Sequence, residues 1–180
     1  MVAFDGGYLK TLEERVKSKK ERAANILFTL NRLVLVERHR NPIYESLVDK
    51  VERLLELWKE KTKDYERIYK EGVEAVNEIK SLSERQKSLN LSDLEYSLLL
   101  ALEERFGKEK GLLNEVRDIS ARLKNYMFSG WFNQPAVEKN VEREVRRFVR
   151  RLKGRYNISL EEMDDLYKKL IERVKNYGAL

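Results

Sequence analysis

Apolar residues recur at three- and four-residue intervals along almost the whole chain, and no segment shows the single alternation of a half-buried strand. Leu12, Val16, Ala23, Leu27, Leu30 and Val34 predict a first helix. A Thr11-x-x-Glu14 capping box opens it, and it ends near Arg38, ahead of the Asn41-Pro42 step that pushes the backbone out of the α region. From Tyr44 to Ile79 the spacing continues through Leu47, Val51, Leu54, Trp58, Tyr65, Tyr69, Val73 and Val76. It predicts one helix of nearly forty residues, ~55 Å long, folded antiparallel against the first, with Gly72 and the gap at Lys61 to Lys63 as places for a kink.

Further on, Ser92-Asp93-Leu94-Glu95 reads as a second capping box, opening a run from Tyr96 to Leu102 that is apolar on nearly every side, as in a buried central helix. Gly107 to Gly111 ends it, and Leu112, Leu113, Val116, Ile119, Leu123 and Tyr126 mark a fourth helix. After the Trp131 loop, Pro135 starts an amphipathic helix with Gly154 as its expected stop. Ser159-Leu160-Glu161-Glu162 then caps a last helix with Met163, Leu166, Leu170, Ile171 and Val174 inward. The fold class this predicts is all-α, a bundle of about six helices. A long helical hairpin is expected over residues 1–82 and a compact bundle packed on it over 83–180, or the two as one continuous domain, since no Pro/Ser/Gly-rich linker divides them.

Charge changes the picture most in the helix after Pro135. On a helical wheel Val137, Val141, Val145, Phe148, Val149 and Leu152 fall within an arc of roughly 120°. Lys139, Arg143, Arg146, Arg147, Arg150 and Lys153 share the opposite arc. Residues 138–155 carry eight Lys and Arg against three Glu, so this segment holds +5 of the chain's formal +6 and the remainder is close to neutral. A cation-covered face suits an acidic partner, either a nucleic-acid backbone or an acidic protein surface. It is also what an ordinary solvated helix face looks like in a charge-rich protein.

Candidate chemistry is sparse. Without cysteine there is no disulfide, thiolate metal site or cysteine nucleophile. His39, the only histidine, has no ligand-spaced companion. Phosphate loops, GxGxxG, HExxH and GxSxG are all missing, so neither an active site nor a cofactor is expected. The start, MVAFDGG, lacks the basic and apolar regions of a secretory leader, and no apolar run approaches ~20 residues; the expected location is cytoplasmic, with no membrane partner. Trp58, Tyr65 and Tyr69 share one helical face and read as core or seam. Trp131, beside Phe128 and Phe132, either plugs the core or anchors a partner.

Three segments carry a family likeness: Asn41-Pro-Ile-Tyr-Glu-Ser-Leu47; Ser83 to Glu95, with Glu84, Arg85, Leu89, Leu91, Ser92 and Glu95; and Trp131 followed by Val137 through Leu152 and Tyr156. Together they resemble the C-terminal helical region of type I restriction enzyme R subunits, over most of residues 41–175. The resemblance implies one part of a larger machine whose nuclease and ATP-driven motor domains lie elsewhere. In it this region helps attach the motor subunit to the methyltransferase and specificity subunits, with duplex DNA as a further partner for the basic helix. No catalytic residue carries over. A stand-alone nucleic-acid-binding helical protein and a homo-oligomeric coiled-coil scaffold are the alternatives.

Overall fold

The computed structural model describes Phe4 and residues 7–178; the first residues, on which the reading of a leaderless start rests, lie mostly outside that range. All regular structure among the described residues is helical, so the chain is an all-α helical bundle. It divides into two compact units, one up to Asn90 and the other from Leu91. The division falls later than residue 82 because the helix passing that point continues to Leu89.

In the first unit the initial helix is broken where the spacing predicts continuity. Thr11 lies inside α1 (Tyr8–Arg15) and caps nothing. The backbone turns extended at Val16, and Ser18 caps α2 (Lys19–Leu30), its hydroxyl accepting from Glu21 N–H at 3.4 Å. Leu12 and Ala23 are eleven residues apart, about three helical turns, so periodicity alone reads straight across the break. Arg22 donates to the carbonyls of Val16 (2.5 Å) and Glu13 (2.8 Å), satisfying acceptors that the end of α1 leaves bare. A π-helical stretch (Asn31–Val36) and a 3-10 turn (Arg38–Arg40) follow, and Asn41 caps the short α3 (Pro42–Ser46), with Pro42 in its first turn.

The predicted forty-residue helix is not formed. Leu47 interrupts it, α4 spans Val48–Lys59, and α5 spans Tyr65–Leu89. At Glu60 the backbone becomes extended, and the Asp64 carboxylate caps α5 by accepting from Arg67 N–H at 3.0 Å. The segment expected to kink, Lys61 to Lys63, thus lies in a full reversal of the chain. Arg53 pairs with Glu71 at 3.0 Å and Lys50 with Glu78, so α4 and α5 form the antiparallel hairpin. α2 instead runs parallel to α5: Lys19 pairs with Glu66 at 2.6 Å, and Ile26 abuts Gly72.

α5 passes Gly72 uninterrupted. The glycine is there for contact, since a Cβ would sit 2.9 Å from Cγ2 of the fully buried Ile26. The inward residues of α5 are Ile68, Gly72, Ala75, Val76 and Ile79; Tyr65, Tyr69 and Val73 flank this face half-buried. Trp58 packs at 5.8 Å from Phe28 and 5.7 Å from Tyr65, as a seam cluster.

The second unit is an up-and-down four-helix bundle of α6 (Asp93–Phe106), α7 (Leu112–Leu123), α8 (Pro135–Tyr156) and α9 (Leu160–Tyr177). Both expected capping boxes form, Ser92 with Glu95 and Ser159 with Glu162. α6 is buried on most sides, including Tyr96, Leu98, Leu99 and Leu102, and Gly107, at φ 76°, ends it. Antiparallel neighbours follow from their cross-pairs: Glu104 with Lys169, Asp118 with Arg151 at 3.5 Å, and Glu138 with Lys175 at 2.6 Å. The ring of Phe106 stacks on Tyr156 at 4.5 Å, as expected for parallel diagonal helices ending at the same side.

Two helical glycines make opposite predictions. Gly72→Val forces the α2–α5 crossing apart and lowers unfolding free energy by about 1–3 kcal/mol. Gly154→Ala, with nothing within 4 Å of the place its methyl would take, raises it by about 0.5–1 kcal/mol. Denaturant titration of the two variants checks both signs.

Candidate interaction surface on the basic helix

α8 begins at Pro135, whose missing N–H is no loss in a first turn, and ends at Asn157, which takes the left-handed conformation at φ 50°. Gly154 is therefore inside the last turn rather than the stop, because asparagine also tolerates that geometry. The helix buries Val141, Val145, Phe148, Val149 and Leu152. With that stripe committed to α7 and α9, helical geometry leaves the opposite stripe no choice but solvent. All six expected residues, Lys139, Arg143, Arg146, Arg147, Arg150 and Lys153, are exposed.

Not all of the positive charge on α8 is equally available. Arg151 and Arg155 lean toward α7, pairing with Asp118 and Glu115. Arg147 pairs at 2.9 Å with Glu144, whose side chain is only 9% exposed; it covers a buried carboxylate that burial without a partner would penalise. By contrast, no ion pair within 4 Å joins Lys139, Arg143, Arg146, Arg150 or Lys153 to a carboxylate among the described residues. Arg143 is held by the Asn140 amide oxygen at 2.7 Å. Arg146 lies over the Tyr167 ring of α9, 4.0 Å from its centroid, a cation–π contact that fixes the guanidinium while keeping its charge outward.

The structure brings Lys139, Arg143, Arg146, Arg147 and Arg150 around one shallow hollow of about 310 Å³, with Glu142 in its wall; Lys153 lies a turn beyond. A second hollow of about 240 Å³ opens beside it, against α9, with Arg146 and Arg150 in common. Its other walls are Val149, Leu160, Met163, Asp164 and Tyr167. Sequence reading missed this one because it needs two helices in register, although Leu160 offered a signal: it is apolar, sits at the first position of α9, and is 74% exposed. Burial holds the Tyr167 phenol above its ordinary range, with the nearby Glu142 charge adding to it. A hydrogen bond from Lys168, at 2.8 Å, holds the Asp164 carboxyl below its usual range, so Asp164 is ionised at neutral pH.

Comparison with known protein families, with characterised proteins and with solved structures finds no match. Physical geometry alone therefore bears on what the surface does. Among the described residues no three His, Cys, Asp or Glu gather to hold a metal ion, and no helix is long and apolar enough to cross a membrane. His39 sits exposed on the 3-10 turn, its Nδ1 3.2 Å from Glu45.

Trp131, the other candidate anchor, is fully buried, and its indole N–H donates to the Gly178 carbonyl at 3.1 Å. It plugs the core; Phe128 and Phe132 beside it stay exposed. Trp131→Ala should cost about 3–5 kcal/mol of stability, read as a lower denaturation midpoint. A stable variant that had lost only partner binding would return Trp131 to the role of anchor.

Proposed function

We propose that this chain is a non-catalytic, cytoplasmic C-terminal helical assembly domain of a type I restriction endonuclease R subunit. It docks the DNA-translocating and cleaving subunit onto the methyltransferase and specificity subunits. The observation that carries the proposal is the straight stripe from Lys139 to Lys153 on α8, ~21 Å long, exposed along its length and mostly without internal ion pairs. A face left uncompensated within its own unit is complementary to an acidic partner. The residues of the family likeness have structural roles compatible with a shared bundle: Ser92 and Glu95 cap α6, Leu91, Trp131 and Leu152 are buried, and Tyr156 stacks on Phe106.

Protein is favoured over nucleic acid as the main partner because the stripe borders a notch walled by Val149, Leu160, Met163 and Tyr167, an apolar socket that a phosphate backbone has no group to fill. The reading is further supported over a coiled-coil scaffold because the continuous forty-residue helix that such a scaffold would pair is absent, the chain reversing at Glu60–Asp64 and α5 packing its apolar face on α2 and α4.

The clean test spares Arg147, which covers Glu144, and Arg146, which packs on Tyr167. The combined variant Lys139→Glu/Arg143→Glu/Arg150→Glu should bind the methyltransferase–specificity complex about tenfold or more weakly, with its helical circular dichroism and melting unchanged. Undiminished binding by a folded variant would remove the proposal.

A further inference from the structure

The two hollows meet at Arg146 and Arg150, and they differ in chemistry. One is a polar trough among cations. The other combines the aliphatic surfaces of Val149, Leu160 and Met163 with the Tyr167 ring. At about 240 Å³ it is smaller than a typical small-molecule pocket, and its scale suits a single inserted side chain. Leu160, at 74% exposure, is among the most exposed large apolar residues described, and it stands at the rim of this notch.

The stripe itself has a period. Lys139, Arg143, Arg146, Arg150 and Lys153 follow one another at steps of four, three, four and three residues, which on a helix means one charge per ~5.4 Å turn along a nearly straight line. A second helix laid alongside with carboxylates at the same steps offers one acceptor per cation without distortion. Arginine forks favour carboxylate geometry, and the Tyr167 ring already holds Arg146 in place, so less side-chain freedom is lost on binding.

We infer that the basic face of α8 receives an acidic amphipathic helix of the partner protein, seating its carboxylates on the Lys139–Lys153 stripe and one large apolar side chain in the Val149–Leu160–Met163–Tyr167 notch. This deepens the docking role proposed above by specifying the partner element, and it rests on that reading. The notch gives what a phosphate backbone cannot use, an apolar socket.

The test uses the full chain and three labelled probes followed by fluorescence anisotropy. One is a synthetic helical peptide with Glu at steps of four and three residues and a Leu on the flank of the Glu residues that face Arg146 and Arg150, where it meets the notch. The second is the same peptide with that Leu replaced by Ser, and the third is a short DNA duplex. The Leu peptide should bind about tenfold or more tightly than the Ser peptide, as burial of one large apolar side chain implies. Leu160→Ser/Met163→Ser should abolish that difference while leaving the weaker, charge-driven binding in place. Arg143→Glu/Arg150→Glu should weaken both peptides.

Equal affinity for the two peptides, absence of binding by either, or duplex DNA outcompeting both would overturn the inference. The same notch variant tried against the methyltransferase–specificity complex separates the two proposals. Peptide selectivity without affinity for the complex would sink the restriction-subunit reading alone, while binding of the complex that ignores the notch variant would sink the helix-and-socket inference alone.

Discussion

Everything proposed for this protein depends on how α8 is clamped by its two neighbours. Burying Val141, Val145, Phe148, Val149 and Leu152 against α7 and α9 fixes the rotation of the helix about its axis. At ~100° per residue a slip of the helix by one residue would carry Arg150 to the place of Val149 in the core, where an unpaired guanidinium is prohibitively costly. Apolar packing and charge display are thus one constraint seen from two sides. The cross-pairs refine it: Arg155 with Glu115 and Arg151 with Asp118 on one flank, Lys175 with Glu138 on the other. Each exposed pair adds little stability. Their larger effect is to neutralise the edges of α8 and leave one narrow line of free positive charge.

The same division between structural and available charge runs through the first unit. Arg53 and Arg67 both engage Glu71, at 3.0 and 2.9 Å, and Arg22 is spent on the carbonyl end of α1. Cations there serve as staples between helices. Apart from Arg147, which is spent on Glu144, the α8 stripe differs because the partners that hold it are an amide at Asn140 and an aromatic ring at Tyr167, neither of which cancels charge.

Much of this could be read in the sequence, for a physical reason. Fold class, the two serine capping boxes, the buried character of α6 and the outward face of α8 all follow from local periodicity and capping, which act within a few residues. What escaped reading was decided by breaks and by distant contacts. Ser18 ends a pattern that stays in phase across the gap from Leu12 to Ala23, and the reversal at Glu60–Asp64 contains neither glycine nor proline. Gly72 invites the reading of a kink, yet its role becomes visible only when Ile26 is placed against it. The notch beside the cationic stripe depends on the register of α8 against α9, which no single-helix pattern encodes.

The central claim is that the α8 face docks an acidic protein, and the salt dependence of binding tests it most directly. With the full chain titrated against the methyltransferase–specificity complex and against duplex DNA, association with the complex should be tight at low salt and weaken as salt screens the exposed stripe, leaving the part carried by the apolar notch, which salt does not screen. Binding to DNA should be weak. The opposite result, strong DNA binding whose logarithm falls steeply and linearly with the logarithm of salt concentration, without affinity for the complex, would contradict the account.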